Sequence, residues 1–185
     1  MKPFAIAFSG RIKSGKSSLS SEVATRLNWQ RVSFGDQARK IAVIQGLDQN
    51  DRSVLQHVGA AQVEANQRGF CQDVIAQAAG WTRAEGLVID GLRHVEVGAQ
   101  LARLVAPLRL RLVYVETADD VRETRVSGAD GAQLLNQWES HSTETQVPRR
   151  LRDVADLIVN GTASLDEAVR RTLDAIAQWS AADRT

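Results

Sequence analysis

Gly10-Arg11-Ile12-Lys13-Ser14-Gly15-Lys16-Ser17 fits the pattern G-x-x-x-x-G-K-[ST], the glycine loop that cradles nucleotide phosphates. Four positions are constrained, and a chance match in a chain of this length is on the order of 1%. The flanks agree with the motif. Pro3-Phe4-Ala5-Ile6-Ala7-Phe8 is a short apolar run that reads as a buried strand, and Leu19, Val23, Ala24 and Leu27 follow at helical spacing. Strand, loop and helix in that order is the context the motif requires. Glycine lets the backbone curl so that successive N–H groups converge on one concavity at the helix N-terminus. Gly10, Lys13, Ser14, Gly15, Lys16, Ser17 and Ser18 are therefore expected to bind ATP. Lys16 would reach the β- and γ-phosphates, and the Ser17 hydroxyl would ligate Mg²⁺.

The chain has 185 residues, which suits a single domain with a full core. A formal net charge of +1 excludes the global field of a nucleic-acid or membrane binder. Arginine far outnumbers lysine. That excess suits bidentate phosphate recognition, and a coding bias would also produce it. Cys71 is the only cysteine, so there is no disulfide framework or thiolate cluster. His57, His94 and His141 lack the spacing of metal ligands. No basic-apolar leader and no apolar run of about 18 residues is present. A cytoplasmic protein is expected, with Met1-Lys2 as a natural start.

Outward from the loop, short apolar runs alternate with helical patterns. Arg31-Val32-Ser33-Phe34, Gly86-Leu87-Val88-Ile89-Asp90, Leu110-Arg111-Leu112-Val113-Tyr114-Val115 and Leu157-Ile158-Val159 read as strands. Helices are expected over 36–44 with Asp36 as N-cap, from Asp51 to Ala61, over 70–79, over 95–105 and over 119–126. A last helix is capped by Ser164. Residues 127–147 are polar, with few strong core residues, and read as a mobile segment. The pattern predicts a five-stranded parallel sheet with helices on both faces. Ligands then bind beyond the carboxyl ends of the strands. The glycine loop, Gly35-Asp36, Asp90-Gly91, Glu116-Thr117 and Asn160-Gly161 would meet there.

Leu87-Val88-Ile89-Asp90 is an apolar strand ended by an acid, the Walker-B pattern, so Asp90 is a second candidate Mg²⁺ ligand opposite Ser17. Arg39, Arg93, Arg122 and Arg125 fall near strand ends, with Arg149, Arg150 and Arg152 after the polar segment. Singly these are ordinary surface residues. As a set they suggest a clamp for phosphate groups. Trp29, Trp81 and Trp179 read as packing residues. Trp138 also reads as a packing residue, with covering a base when the polar segment closes as its lesser alternative, and Cys71 reads as a small buried apolar side chain.

Four segments resemble the nucleoside-monophosphate kinase group of P-loop proteins, which includes adenylate kinases, dephospho-CoA kinases and phage deoxynucleoside-monophosphate kinases. They are Gly10 to Ser17, Ser33-Phe34-Gly35-Asp36-Gln37-Ala38-Arg39, Val88-Ile89-Asp90-Gly91-Leu92-Arg93 and Ala155-Asp156-Leu157-Ile158-Val159-Asn160-Gly161. Arg52-Ser53-Val54-Leu55-Gln56-His57-Val58-Gly59 is similar to a stretch of the phage enzymes. The resemblance implies a P-loop NTPase three-layer sandwich with a helical acceptor-binding region at 51–80 and a small lid at 127–148. It further implies that Arg39 and Arg93 bind the acceptor phosphate, with Asp36 expected to contact the acceptor hydroxyl or to orient Arg39. Lys16, Asp90, Arg122 and Arg125 would be catalytic, and Asn160 and Gly161 would lie against adenine.

The sequence departs from the group in three places. Asp90-Gly91-Leu92-Arg93 lacks the proline of familiar adenylate kinases. The lid carries Glu139, His141 and Glu144 rather than dense arginine. Val63-Glu64 stands where an acceptor arginine is expected, with Arg68 as a substitute. The implied reaction is ATP-dependent phosphoryl transfer to a small phosphate-bearing acceptor, a (deoxy)nucleoside monophosphate first. Dephospho-CoA or another small metabolite is an alternative acceptor, and a non-kinase nucleotide-binding regulatory module is an alternative class. A small-molecule partner is expected, without nucleic acid or membrane, for a chain acting alone or as a homodimer.

Overall fold

Five short runs form one parallel sheet in the order β2-β3-β1-β4-β5. They are β1 (Ala5–Ser9), β2 (Gln30–Ser33), β3 (Leu87–Asp90), β4 (Leu110–Glu116) and β5 (Leu157–Asn160). The computed structural model describes residues 3–126, 131–141, 144 and 147–182. Met1 and Lys2 lie outside the described residues, as do positions 127–130, 142, 143, 145 and 146 of the expected lid.

Two-residue alternation along the strands builds two cores. Ala5, Ala7, Leu87, Ile89, Leu112 and Tyr114 face one side, with Phe70, Cys71, Val74, Val97 and Leu101. Phe4, Ile6, Phe8, Val88, Val113 and Val115 face the other, with Leu19, Val23, Val169 and Ile176. The first core is covered by α2 (Phe34–Ile44), α3 (Arg52–Ile75) and α4 (Val95–Val105). The second is covered by α1 (Lys16–Leu27) and α7 (Leu165–Ala182). Both faces of every central strand are therefore covered, which explains why the strands read as continuous apolar runs. No described helix is long and apolar enough to cross a membrane.

Several local expectations change. Helix α2 starts at Phe34, and its N-cap is Ser33, whose hydroxyl accepts the Asp36 amide at 3.2 Å. Serine competes well with aspartate for this role, and Asp36 is freed to pair with Arg39. The two helices expected between 51 and 79 are present as the two halves of α3, separated by a break at Asn66 (φ −159°, ψ 74°). Asp51 caps its start by accepting from the Ser53 amide at 2.8 Å.

The described residues of the polar stretch after position 126 include regular structure. They hold α6 (Gly131–Glu139) and a π-helical turn, Val147–Leu151. Leu135, Val147 and Leu151 are buried. Leu135 joins Ile12 and Val126 in a small third cluster, with Leu134 and Trp138 packed against it. Short α5 (Asp119–Thr124) precedes it. The Ser164 cap of the last helix is present, accepting the Glu167 amide at 3.2 Å.

Gly86 precedes β3, and a Cβ there would come within 2.1 Å of the Trp29 ring. Trp29 in turn packs on the α1–α7 core. Gly86→Ala should lower stability by about 1–3 kcal/mol through overpacking, read as a shift in urea midpoint. Combining it with Trp29→Leu should recover part of that loss. Additive losses in the double variant would contradict the assigned contact.

Candidate active site

The glycine loop leaves β1 at Gly10 (φ +149°), where a Cβ would lie 2.6 Å from the Val115 carbonyl oxygen. Only glycine fits this close approach. Lys13 (φ 62°) and Gly15 (φ 90°) complete the curl in left-handed conformations. Gly15 is the N-cap of α1 and offers no side-chain cap. The first-turn amides are thus left to a ligand, as an anion-binding helix start requires.

Three consecutive carbonyls of the loop are held from outside. Arg122 Nη1 donates to the Ile12 carbonyl at 3.1 Å, Arg125 Nη1 to the Lys13 carbonyl at 3.2 Å, and Thr117 Oγ1 to the Ser14 carbonyl at 2.9 Å. All three donors come from the end of β4 or the α5 region. Arg125 also donates to the Gly161 carbonyl at 2.9 Å, tying the loop after β5 to the same frame. Glycine is needed at 161 because a Cβ would meet Thr117 Oγ1 at 2.1 Å and the Ser14 carbonyl oxygen at 2.6 Å.

Arg122 is only 2% exposed. It pairs with Glu139 of α6 at 2.5 Å and Asp119 at 2.7 Å. Arg11 of the loop pairs with Asp119 at 2.6 Å and also with Glu139. Loop, α5 and α6 therefore share one ionic network. Arg122 lines neither cavity described below. Its geometry differs from the expected contact with a transferred group, because both of its Nη groups are engaged under the loop by the Ile12 carbonyl, Glu139 and Asp119.

Two cavities meet at Lys16, Ser17 and Arg52. The larger, of about 770 Å³, runs along the outside of the loop. Lys13, Ser14, Gly15 and Ser18 line it with Arg125, Trp138, Gly161 and Leu165. The smaller, of about 330 Å³, lies beyond Lys16 toward α2, α3 and α4. Its polar wall includes Asp36, Arg39, Asp90 and Arg93, and its apolar wall includes Phe34, Leu55, Val63 and Phe70. The rings of Phe34 and Phe70 meet edge to face at 5.5 Å.

Lys16 is buried, with its amine 3.4 Å from the Arg11 carbonyl. Burial above all, then Arg93, lowers its pKa to about 7, against the pull of Asp90 and Glu144. Asp90 is also buried. Its Oδ2 accepts from Arg31 Nη2 at 2.5 Å, and Arg31 Nε donates to Ser20 Oγ at 3.0 Å. Asp90 Oδ1 is buried without a hydrogen-bond partner among the described residues. An orphaned carboxylate oxygen and the Ser17 hydroxyl on one cavity wall fit a hard, oxygen-ligated cation such as Mg²⁺.

Arg39 pairs with Asp36 at 2.8 Å. Arg93 bonds the Glu144 carboxylate, which also accepts from Arg52 at 3.2 Å and Gln56 at 3.3 Å. Sequence reading brought Arg39, Arg93, Asp36 and Asp90 to this cleft. It missed Arg31, Arg52, Gln56 and Glu144. The signal for Arg52 and Gln56 was present in Arg52–Gly59, whereas Arg31 and Glu144 are recruited only by tertiary contact. Arg68, the substitute considered for the acceptor arginine, is exposed and lines neither cavity. Asn160 lines neither cavity, and its Oδ1 instead accepts the Thr162 amide at 2.9 Å.

The sequence matches no protein-family model and no curated protein. Solved structures do resemble this one. A gluconokinase from Sinorhizobium meliloti 1021 superposes with a TM-score of 0.62 at 19% identity, covering 96% of this chain and 94% of that one. The Mycobacterium tuberculosis APS kinase CysC, in complex with AMPPNP and APS, gives 0.61 at 20% identity over 95% and 98%. A shikimate kinase from Acinetobacter baumannii in complex with shikimate gives 0.62 at 14% identity over 95% and 94%. The fold is the P-loop NTPase sandwich.

Two expectations follow from the loop. A bound polyphosphate restores the charged form of Lys16, so its pKa rises from about 7 and binding at pH 8 takes up a proton. Affinity for Mg-ADP should therefore fall as pH rises above about 7. Calorimetry in buffers of different ionisation enthalpy should show the uptake, and Lys16→Met should remove it. An unchanged heat across buffers would refute this. Arg122→Met should destabilise the fold by about 1–3 kcal/mol, because the Ile12 carbonyl and Glu139 each lose a donor while Arg11 still pairs with Glu139. The same change should weaken Mg-ADP binding, although the side chain lies outside the cavity.

Proposed function

We propose that the chain is an ATP-dependent phosphotransferase acting on a small phosphate-bearing acceptor, a nucleoside or deoxynucleoside monophosphate first. The observation that carries this reading is the junction of two cavities at Lys16, Ser17 and Arg52. A donor triphosphate held by the loop then points its γ-phosphoryl group at the arginine-walled cavity. Similar folds belong to a gluconokinase, an APS kinase and shikimate kinases, which supports small-molecule phosphoryl transfer in general. The choice of a phosphate-bearing acceptor rests on Arg39, Arg52 and Arg93 in one small cleft. The apolar wall of Phe34, Leu55, Val63 and Phe70 suits a planar base. A cavity of about 330 Å³ favours a mononucleotide over the bulkier dephospho-CoA.

In this reading the acceptor oxygen forms a new bond to the γ-phosphorus as the bond to the ADP oxygen breaks. Lys16 balances charge on the β- and γ-oxygens. Ser17 and Asp90 Oδ1 would hold Mg²⁺, which offsets phosphate charge when bound. Arg39, oriented by Asp36, and Arg93 fix the acceptor phosphate in line. Arg125 borders the donor cavity and stabilises charge on the transferred group, and Trp138 and Gly161 flank the nucleoside end. Arg122 acts as a positioning residue through the Ile12 carbonyl.

ADP formation from Mg-ATP should rise strongly with one member of a panel of nucleoside and deoxynucleoside monophosphates that includes dephospho-CoA. Lys16→Ala should lower that turnover by about 100-fold or more, with an unchanged circular-dichroism spectrum. Arg39→Ala should act mainly on the acceptor KM. A flat panel beside measurable ATP binding would favour a regulatory nucleotide-binding module instead.

A further inference from the structure

Glu144 is the one described residue between Ser142 and Gln146, and its carboxylate is buried behind the wall of the smaller cavity, bonded to residues that line it. It is 3% exposed. One oxygen accepts from Arg52 Nη2 at 3.2 Å and Gln56 Nε2 at 3.3 Å, and the other accepts from Arg93 Nη1. Arg52, Gln56 and Arg93 all line the smaller cavity. Gln56 also donates to the Trp138 carbonyl at 2.7 Å, so the chain after α6 is moored beside this point. Burial opposes ionisation of Glu144, yet Arg93, Arg52 and Lys16 outweigh it and hold the carboxyl below its ordinary range. It is a fixed anion among cations.

One carboxylate does not satisfy this cluster. Arg52 remains lowered to about 10, by burial first and by Arg93 next. Lys16, Arg31, Arg39, Arg52 and Arg93 line the cavity against Asp36 and Asp90, with Glu144 at its edge. Arg31 is taken by Asp90 and Arg39 by Asp36. Arg52 and Arg93 are therefore the cations held by Glu144, and the cluster still favours more negative charge.

We propose that Glu144 is a specificity-determining residue, an internal carboxylate that competes with the acceptor for Arg52 and Arg93 and so selects dianionic phosphate monoesters over monoanionic carboxylates. This rests on the phosphate-acceptor reading above. A tethered carboxylate has a high effective concentration at its own site. A free monoanionic carboxylate brings the same charge and the same two oxygens, so it gains nothing by exchange. A phosphate dianion brings a second charge and a third oxygen, and can bridge both guanidinium groups. The competing side chain thus sets a threshold that only the more highly charged ligand passes.

The test is calorimetric titration of inorganic phosphate at pH 8 into the full chain saturated with Mg-ADP, so that the loop is already filled. Glu144→Gln should bind phosphate about tenfold more tightly than wild type and should discriminate less against acetate. Glu144→Asp, which keeps the charge but withdraws it by one methylene, should shift affinity the same way and decides the matter if the Gln variant does not fold. Arg93→Ala should lose phosphate in either background. Unchanged or weaker phosphate binding in a folded Glu144 variant overturns the proposal, because the carboxylate then only braces the arginines. If a nucleoside monophosphate stimulates turnover while phosphate affinity does not respond to Glu144, this role alone fails. If no form binds phosphate and no phosphate-bearing acceptor is used, the phosphate-acceptor reading fails with it.

Discussion

The pinning of three successive loop carbonyls is the constraint on which the rest of the site depends. A glycine-rich loop in water has many conformations, and a phosphate cradle needs one of them. Here Arg122, Arg125 and Thr117 hold the Ile12, Lys13 and Ser14 carbonyls from the β4–α5 side. The parallel pairing of β1 with β4, which sets Ser9 opposite Tyr114, brings those donors to the loop. The sheet thus does more than support the loop from below. It delivers the side chains that fix which way the loop's peptide groups face, before any ligand arrives.

Charge is distributed on a similar principle. The buried cations are not left isolated, which would be costly. Arg122 has Glu139 and Asp119, Arg31 has Asp90, and Arg93 has Glu144. Lys16 is the exception. Its one described hydrogen bond is to a carbonyl at 3.4 Å, and burial, then Arg93, lowers its pKa to about 7. In the proposed reading, a bound polyphosphate would supply countercharge here. Placing the weakest compensation at the point where two cavities join concentrates the demand for an anion there.

Local signals made the fold and the conformation of the glycine loop legible. The glycine loop, the apolar strand ahead of it and the Asp90 strand end each occupy a few consecutive residues. Helix α4 was read with its observed limits because Pro107 stops it. The acceptor side was less legible because it is assembled from side chains far apart in sequence. Nothing near Glu144 marks it as buried, since its partners lie in α3 and after β3. The spacing of Arg122 and Arg125 did indicate a shared face. That face meets the loop's outer carbonyls, and Arg122 is sealed beneath them by α6, which its polar composition concealed. Asp36 looked like a cap because it precedes a helical pattern, but Ser33, three residues earlier, already filled that role.

The break in α3 gives this cleft a mechanical character. Before Asn66, Val58 is buried against Ala38 and Ala42 of α2, with Val54 and Leu55 packed alongside. After it, Phe70, Cys71 and Val74 are embedded in the sheet core. Asn66 Oδ1 accepts the Gly69 amide at 2.9 Å, so the second half has its own cap and does not lean on the first for its helical start. The first half is then an arm that meets the second at Asn66 and carries Arg52 at its far end, about 20 Å away at helical rise. A rotation of about 5° at Asn66 would move that end by about 2 Å. Such a movement is comparable to the difference between a direct and a water-bridged contact, and it leaves the sheet core in place.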